Sequence, residues 1–156
     1  MTGKDVLVDR DVWSAADCSM DAALGVVGTR SAMLLLREAY YGSQRFEEFV
    51  RRTALTEAAT AKRLRQLVDN GLLARRPYRD QGRRERQLYR LTDKGRDLLP
   101  ALVALMQWGD RWLTLDGTGP VKVQHRECGH PVSARLECTA GHHPGIQELI
   151  LVPGRQ

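Results

Sequence analysis

The chain has 156 residues, a hydrophobic content of 42%, a charged content of 28% and a net charge of +5. That is the composition of a globular protein large enough to bury a core, and no apolar run reaches the twenty or so residues of a membrane span. Three widely spaced cysteines, Cys18, Cys128 and Cys138, exclude a disulfide-scaffolded miniprotein. The polar, acidic start "MTGKDVLVDRDV" has no signal-peptide core, so the expected location is the cytoplasm.

The charge is segregated. Residues 1–42 carry a net −2, residues 43–96 a net +8 and residues 97–156 a net −1. Seven arginines fall within the sixteen positions 75–90. Like charges repel, so such crowding is stable only when a polyanion or solvent compensates it. Nucleic acid is the polyanion this pattern favours.

In chain order, residues 1–17 read as an N-terminal arm with Trp13 as its anchor. "CSMDAALGVVGTR" reads as a short helix with Met20, Ala23, Leu24 and Val27 at helical spacing and Gly28 at its end. "RSAMLLLREAYYG" reads as a second helix ending at Gly42. "SQRFEEFVRR" reads as a third, with Ser43 as N-cap and Phe46, Phe49 and Val50 on one face. The fourth, "TEAATAKRLRQLVDNG", is the most informative. Thr56 caps it, Gly71 stops it, and the stripe Ala61, Leu64, Leu67, Val68 is the expected buried face. Ala59, Lys62, Arg63 and Gln66 then face outward and offer a methyl, two cations and an amide, groups that read base edges in a DNA major groove.

"LLARRPY" and "RQLYRLT" alternate apolar or Tyr positions with Arg around Asp-Gln-Gly, the pattern of a hairpin. Three short helices, a helix with a basic outer face and a basic hairpin together make a winged helix-turn-helix. The fourth helix would enter the major groove, and Arg79, Arg83, Arg84 and Arg86 lie nearest the wing tip. "LTDKGRDLLPALVALMQWGDRWL" then reads as a long helix capped by Thr92 and bent or split at Pro100. It carries two apolar stripes: Leu98, Leu102, Leu105 and Trp112, and Leu99, Val103 and Met106. One can be hidden on the protomer, and the second predicts a partner surface, most simply another copy of the chain.

The pieces "GSQRF", "KRLRQLVDNGLL", "YRLTDKG" and "PALVALMQWGDRW", in this order, make residues 18–113 resemble the HxlR-type branch of bacterial winged-helix regulators, relatives of the MarR group. Family members often have a tryptophan where Ser31 stands and an apolar residue where Thr60 stands. The resemblance implies a homodimer on a roughly palindromic double-stranded operator, repressing nearby genes in response to a small-molecule effector or a reactive species. It implies DNA contacts from Thr56, Ala59, Thr60, Lys62, Arg63 and Gln66 of the reading helix and from the four wing arginines. The apolar residues of the long helix expected at that dimer interface are Leu98, Leu102, Leu105, Met106, Trp108 and Trp112. Some relatives sense oxidants or electrophiles through a cysteine before the first helix, the region Cys18 occupies.

Residues 114–156 change character. "LDGTGP" is a linker, and the rest reads as two or three strands with turns at "CGHP" and "AGHHPG". All four histidines and two cysteines lie here. Cys128, Cys138 and His142 are the candidate zinc ligands, but no C-x-x-C pair exists, and the simpler reading is a small β appendage packed on the dimer. The expected fold is mainly α with α+β character: a winged helix-turn-helix, a long C-terminal dimerisation helix and this appendage. No cofactor and no membrane partner are expected. A zinc-containing enzyme and a general nucleic-acid-binding protein are the alternative functions. No nucleophile-and-base spacing, phosphate-cradling glycine loop or metal-hydrolase motif supports the enzyme.

Overall fold

The computed structural model describes residues 18–79 and 85–152. The N-terminal arm with Trp13, and Arg83 and Arg84 of the wing, lie outside the described residues.

Six helices, one of them a single turn, and a hairpin account for the body. α1 spans Ser19–Val27, α2 Arg30–Tyr40, α3 Phe46–Thr53 and α4 Glu57–Asp69; strands β1 (Leu73–Tyr78) and β2 (Arg86–Leu91) follow, then a single turn α5 (Asp93–Arg96) and α6 (Leu99–Leu113). Caps set these boundaries. The Thr29 hydroxyl accepts from the Ala32 N–H, Thr56 from Ala59 and Thr92 from Gly95, each satisfying one of the amides a helix start leaves unpaired. α3 departs from expectation, because its N-cap is Arg45. The Glu48 carboxylate there accepts from the N–H groups of Gln44 and Arg45 at 2.9 and 3.0 Å. Those bonds favour the carboxylate and hold its pKa below the usual value. Ser43 is buried instead. Its Oγ lies 3.4 Å from Glu38 Oε2 and accepts from Arg52 at 2.5 Å. Glu38, itself buried, also pairs with Arg37 at 2.7 Å, so α2, the turn after it and α3 share one polar network.

The expected long helix divides before Pro100, which sits in the first turn of α6, where a missing N–H costs nothing. Gly95 is required in α5, since a Cβ there would lie 2.2 Å from the Leu72 carbonyl oxygen. Tyr40 donates its hydroxyl to the Gly95 carbonyl, locking α2 to the segment that follows the wing.

The strands pair antiparallel, from Leu73 opposite Leu91 to Tyr78 opposite Arg86. Ala32, Leu35, Leu36, Phe49, Leu64, Leu67, Leu72, Leu73 and Leu102 form one core. Helices α2, α3 and α4 thus converge under the base of the hairpin, and the winged helix is the result.

After α6 the β character is sparse. An isolated bridge joins Gln124 and Pro131, and a single 3-10 turn spans Ile146–Glu148. The expected strands do not form as ladders among the described residues. Pro120, Pro131 and Pro144 remove donors, and turns at Gly129 and Gly141 consume the short alternating runs. No single described helix is long and apolar enough to cross a membrane.

Candidate nucleic-acid interface

α4 is positioned by a buried stripe of Thr60, Leu64 and Leu67 against α2, α3 and β1. Thr60 is 0% exposed, and its hydroxyl has no hydrogen-bond partner. Placing Thr60 on the DNA side is therefore corrected: it is core. The sequence pattern favoured Ala61 and Val68 for the stripe because they are apolar, yet both are only half-buried. Replacing them by Thr60 turns the outward face. Ala58, Ala59, Lys62, Arg65 and Asp69 are its exposed residues. Arg65, absent from the sequence-derived set, is on this face. Arg63, in that set, is half-buried and donates its Nε to Ser31 Oγ of α2 at 3.2 Å. Gln66 is half-buried with its Oε1 unpartnered, and Thr56 is exposed but occupied in capping.

The wing stands beside α4. Arg75, Arg76 and Arg90 on its strands and Arg79 beyond β1 are exposed. Arg86 is not a free cation: it pairs with Glu47 of α3 at 2.6 Å, both side chains about half exposed. The wing is anchored to the body by the Tyr89 N–H on the Gln44 carbonyl at 2.8 Å and an Arg45–Leu88 bridge. An edge-to-face contact of Phe49 with Tyr89, centroids 6.0 Å apart, adds to these. A cavity of about 350 Å³ lies between α3 and the hairpin, lined by Phe46, Glu47, Tyr78, Arg86, Gln87 and Tyr89. The base of the hairpin is tied to the end of α4, where Thr92 Oγ1 donates to the Gly71 carbonyl at 2.6 Å and Lys94 Nζ to that of Asn70 at 2.9 Å. The end of α4 and the base of the hairpin are thus bonded to each other directly.

A family model described as HxlR-like helix-turn-helix matches residues 26–116. The chain belongs to the HxlR-like helix-turn-helix family. An HTH-type transcriptional regulator of Mycobacterium tuberculosis (strain ATCC 25618 / H37Rv) is 44% identical over 121 residues, 78% of this chain and 75% of that protein. One from Methanothermobacter thermautotrophicus is 34% identical over 93 residues, 59% of this chain and 70% of that protein. Among solved structures, PA1607, a proposed transcription factor, is 33% identical with a TM-score of 0.78, covering 88% of this chain and 96% of that one. The redox regulator HypR in its oxidized form is 29% identical with a TM-score of 0.55, covering 60% of this chain and 95% of that one. This HxlR-like protein is accordingly a transcriptional regulator with a helix-turn-helix DNA-binding fold, and these relatives are regulators rather than enzymes.

Two further surfaces of the HxlR-like chain bear on assembly. On α6, Leu102 and Val103 are buried in the protomer's own core, and Leu98 packs against it. Assigning Leu102 to a dimer contact is corrected on that ground: the buried pair takes one residue from each predicted stripe. Met106 is half-buried, while Leu105, Trp108 and Trp112 are 54%, 54% and 62% exposed. α1 has no buried residue, and Met20 and Leu24 stand exposed on it.

The cysteines are dispersed. Cys18 is the exposed N-cap of α1. Cys128 is exposed, its Sγ 3.2 Å from His125 Nδ1. Cys138 is exposed, and backbone N–H groups of His142 and Ala140 directed at it lower its thiol pKa. No group of three or more His, Cys, Asp or Glu side chains is arranged to hold a metal ion among the described residues. The candidate set Cys128, Cys138 and His142 is not brought together as a metal centre.

Proposed function

We propose that the protein is a homodimeric, sequence-specific double-stranded-DNA-binding regulator that represses genes near its own. The observation that carries this reading is the juxtaposition of an exposed cationic α4 face with an arginine-bearing hairpin in the one strongly basic segment of the chain. α4 lies in the major groove, with Thr56, Ala59 and Lys62 in its entering turns and Gln66 further along. The wing cations, Arg79 among them, lie along the phosphates. Arg83 and Arg84 share that charge by sequence position, and Arg86 contributes less because Glu47 already matches it.

A second copy covers α1 and the outer face of α6. A helix with no buried residue and a row of exposed large apolar side chains leave apolar surface that a lone protomer would expose at a cost. Leu105, Met106, Trp108 and Trp112 are the contacts, with Met20 and Leu24 facing them from α1. A two-fold dimer calls for a roughly palindromic operator, and a dimer seated on a promoter excludes polymerase, so repression is the direct outcome of binding. The response is to a small molecule or a reactive species, with Cys18 the candidate sensor.

The test is fluorescence anisotropy of the full chain against a selected operator and an unrelated duplex across a salt series, with light scattering for the oligomer. The expected result is a dimer whose binding steepens by about 0.9 in log–log salt slope for each phosphate contacted. Changing Arg79 and Arg90 to Gln should flatten that slope and weaken both duplexes. A monomer that ignores duplexes even in dilute buffer would overturn the reading.

A further inference from the structure

Two arginines two residues apart on α4 have different surroundings. Arg65 is exposed, lies beside Lys62 on the face opposite the buried stripe of Thr60, Leu64 and Leu67, and makes no hydrogen bond or ion pair with any described residue, Asp69 one turn further on included. Arg63 lies toward α2, half-buried, with its Nε committed to Ser31 Oγ at 3.2 Å across 32 residues of sequence. The hydropathy pattern of the sequence puts Arg63, and not Arg65, on the outward face of the helix. The burial pattern separates them.

We propose that Arg65 is the DNA-contacting arginine of α4, binding a phosphate, and that Arg63 is a positioning residue that sets the angle of α4 on α2 through Ser31. This rests on the DNA-binding reading above. A reading helix presents its first turns most deeply to the base edges, and the groove wall approaches it further along. Lys62 is in the second turn of α4 and Arg65 opens the third, on the same exposed face. Its five donors and permanent charge suit a phosphate at that point. An arginine whose Nε is held by a neighbouring helix is restricted in reach, but it fixes the relation of two helices that must dock as one body. Ser31 is the second residue of α2, next to the Thr29 cap, so the bond joins the start of α2 to the middle of α4.

The two roles give opposite signatures in one experiment, anisotropy against the selected operator and an unrelated duplex over a salt series. Arg65→Gln should weaken both duplexes alike and make the salt slope shallower by about 0.9, and Arg65→Lys should restore the slope. Arg63→Met should leave the slope unchanged and lower the operator-to-unrelated affinity ratio several-fold, and Ser31→Ala should reproduce that drop. A purely structural arginine would lower the melting temperature without moving the ratio, which would overturn the positioning role. An unchanged slope in Arg65→Gln, or a flattened one in Arg63→Met, would overturn the assignment of the phosphate contact. A wild-type chain that binds no duplex sinks the underlying DNA reading and is distinguishable from either result. Ser31→Ala keeps the Arg63 arm decisive if Arg63→Met fails to fold.

Discussion

Every buried hydrophobic residue of the described chain falls between Ala32 and Val103, and between Thr114 and Val152 there is none. The first region closes on itself: α2, α3 and α4 interlock under the hairpin, and the polar groups trapped there are mostly paired. The second is a string of turns laid along α6. Its firmest attachment is the Gln107 side chain, whose Nε2 donates to the Val132 carbonyl at 2.7 Å and whose Oε1 accepts from the Ala134 N–H at 3.0 Å. Leu136, Ile146 and Ile150 remain exposed along it. A core makes a region cooperative. A region with no core of its own is expected to open more readily than the body it lies against.

The contrast is broken most sharply in the core. Phe49 is fully buried between α2, α4 and Tyr89, so Phe49→Ala should cost about 3–5 kcal/mol in denaturant unfolding. Leu136→Ala, an equally apolar truncation in the appendage, should stay within about 0.5 kcal/mol. Equal costs would show that the appendage shares the body's core. Gln107→Ala comes next. It strips two hydrogen bonds from the appendage and leaves the Val132 carbonyl and Ala134 amide to water. Proteolysis should then remove residues beyond α6 faster, while the unfolding midpoint of the body barely moves. A large drop in that midpoint would mean the two regions fold as one unit.

The same contrast governs what the sequence disclosed. The order of elements in the body was legible because helical and strand periods change cleanly at capping threonines and at glycines, two of which, Gly42 and Gly71, take positive φ. The phase of α4 was not. Hydropathy ranks Ala61 and Val68 above Thr60, yet Thr60 is the enclosed residue while those two are half-buried, and that phase turns Arg65 outward. Ser43 misled in the same manner. A serine before a helix looks like a cap, and only the tertiary approach of Glu38 and Arg52 draws it inward. Leu102 could not be assigned to core or partner from one helix, since either stripe of α6 could have been the hidden one. In the appendage, alternation suggested strands, but a ladder needs consecutive donors on both sides and the prolines interrupt them.

Thr60 offers the finest test, because it is a polar defect inside the well-ordered region. Its hydroxyl is buried without a partner, so the folded state bears the desolvation of that group with nothing in return. Valine matches its shape and replaces the hydroxyl by a methyl. Thr60→Val should therefore raise the stability of the body by about 1 kcal/mol, read as a higher denaturant midpoint at unchanged m-value. DNA affinity should stay the same, because a residue fully enclosed on the inner face of α4 touches no phosphate or base. If Thr60→Val weakened operator binding while stabilising the fold, the burial-derived phase of α4 would be wrong, and with it the outward placement of Arg65. If it destabilised the fold, the hydroxyl would have to be satisfied by a bound water, and the packing of α4 on α2 would be wetter than its neighbours Leu64 and Leu67 indicate.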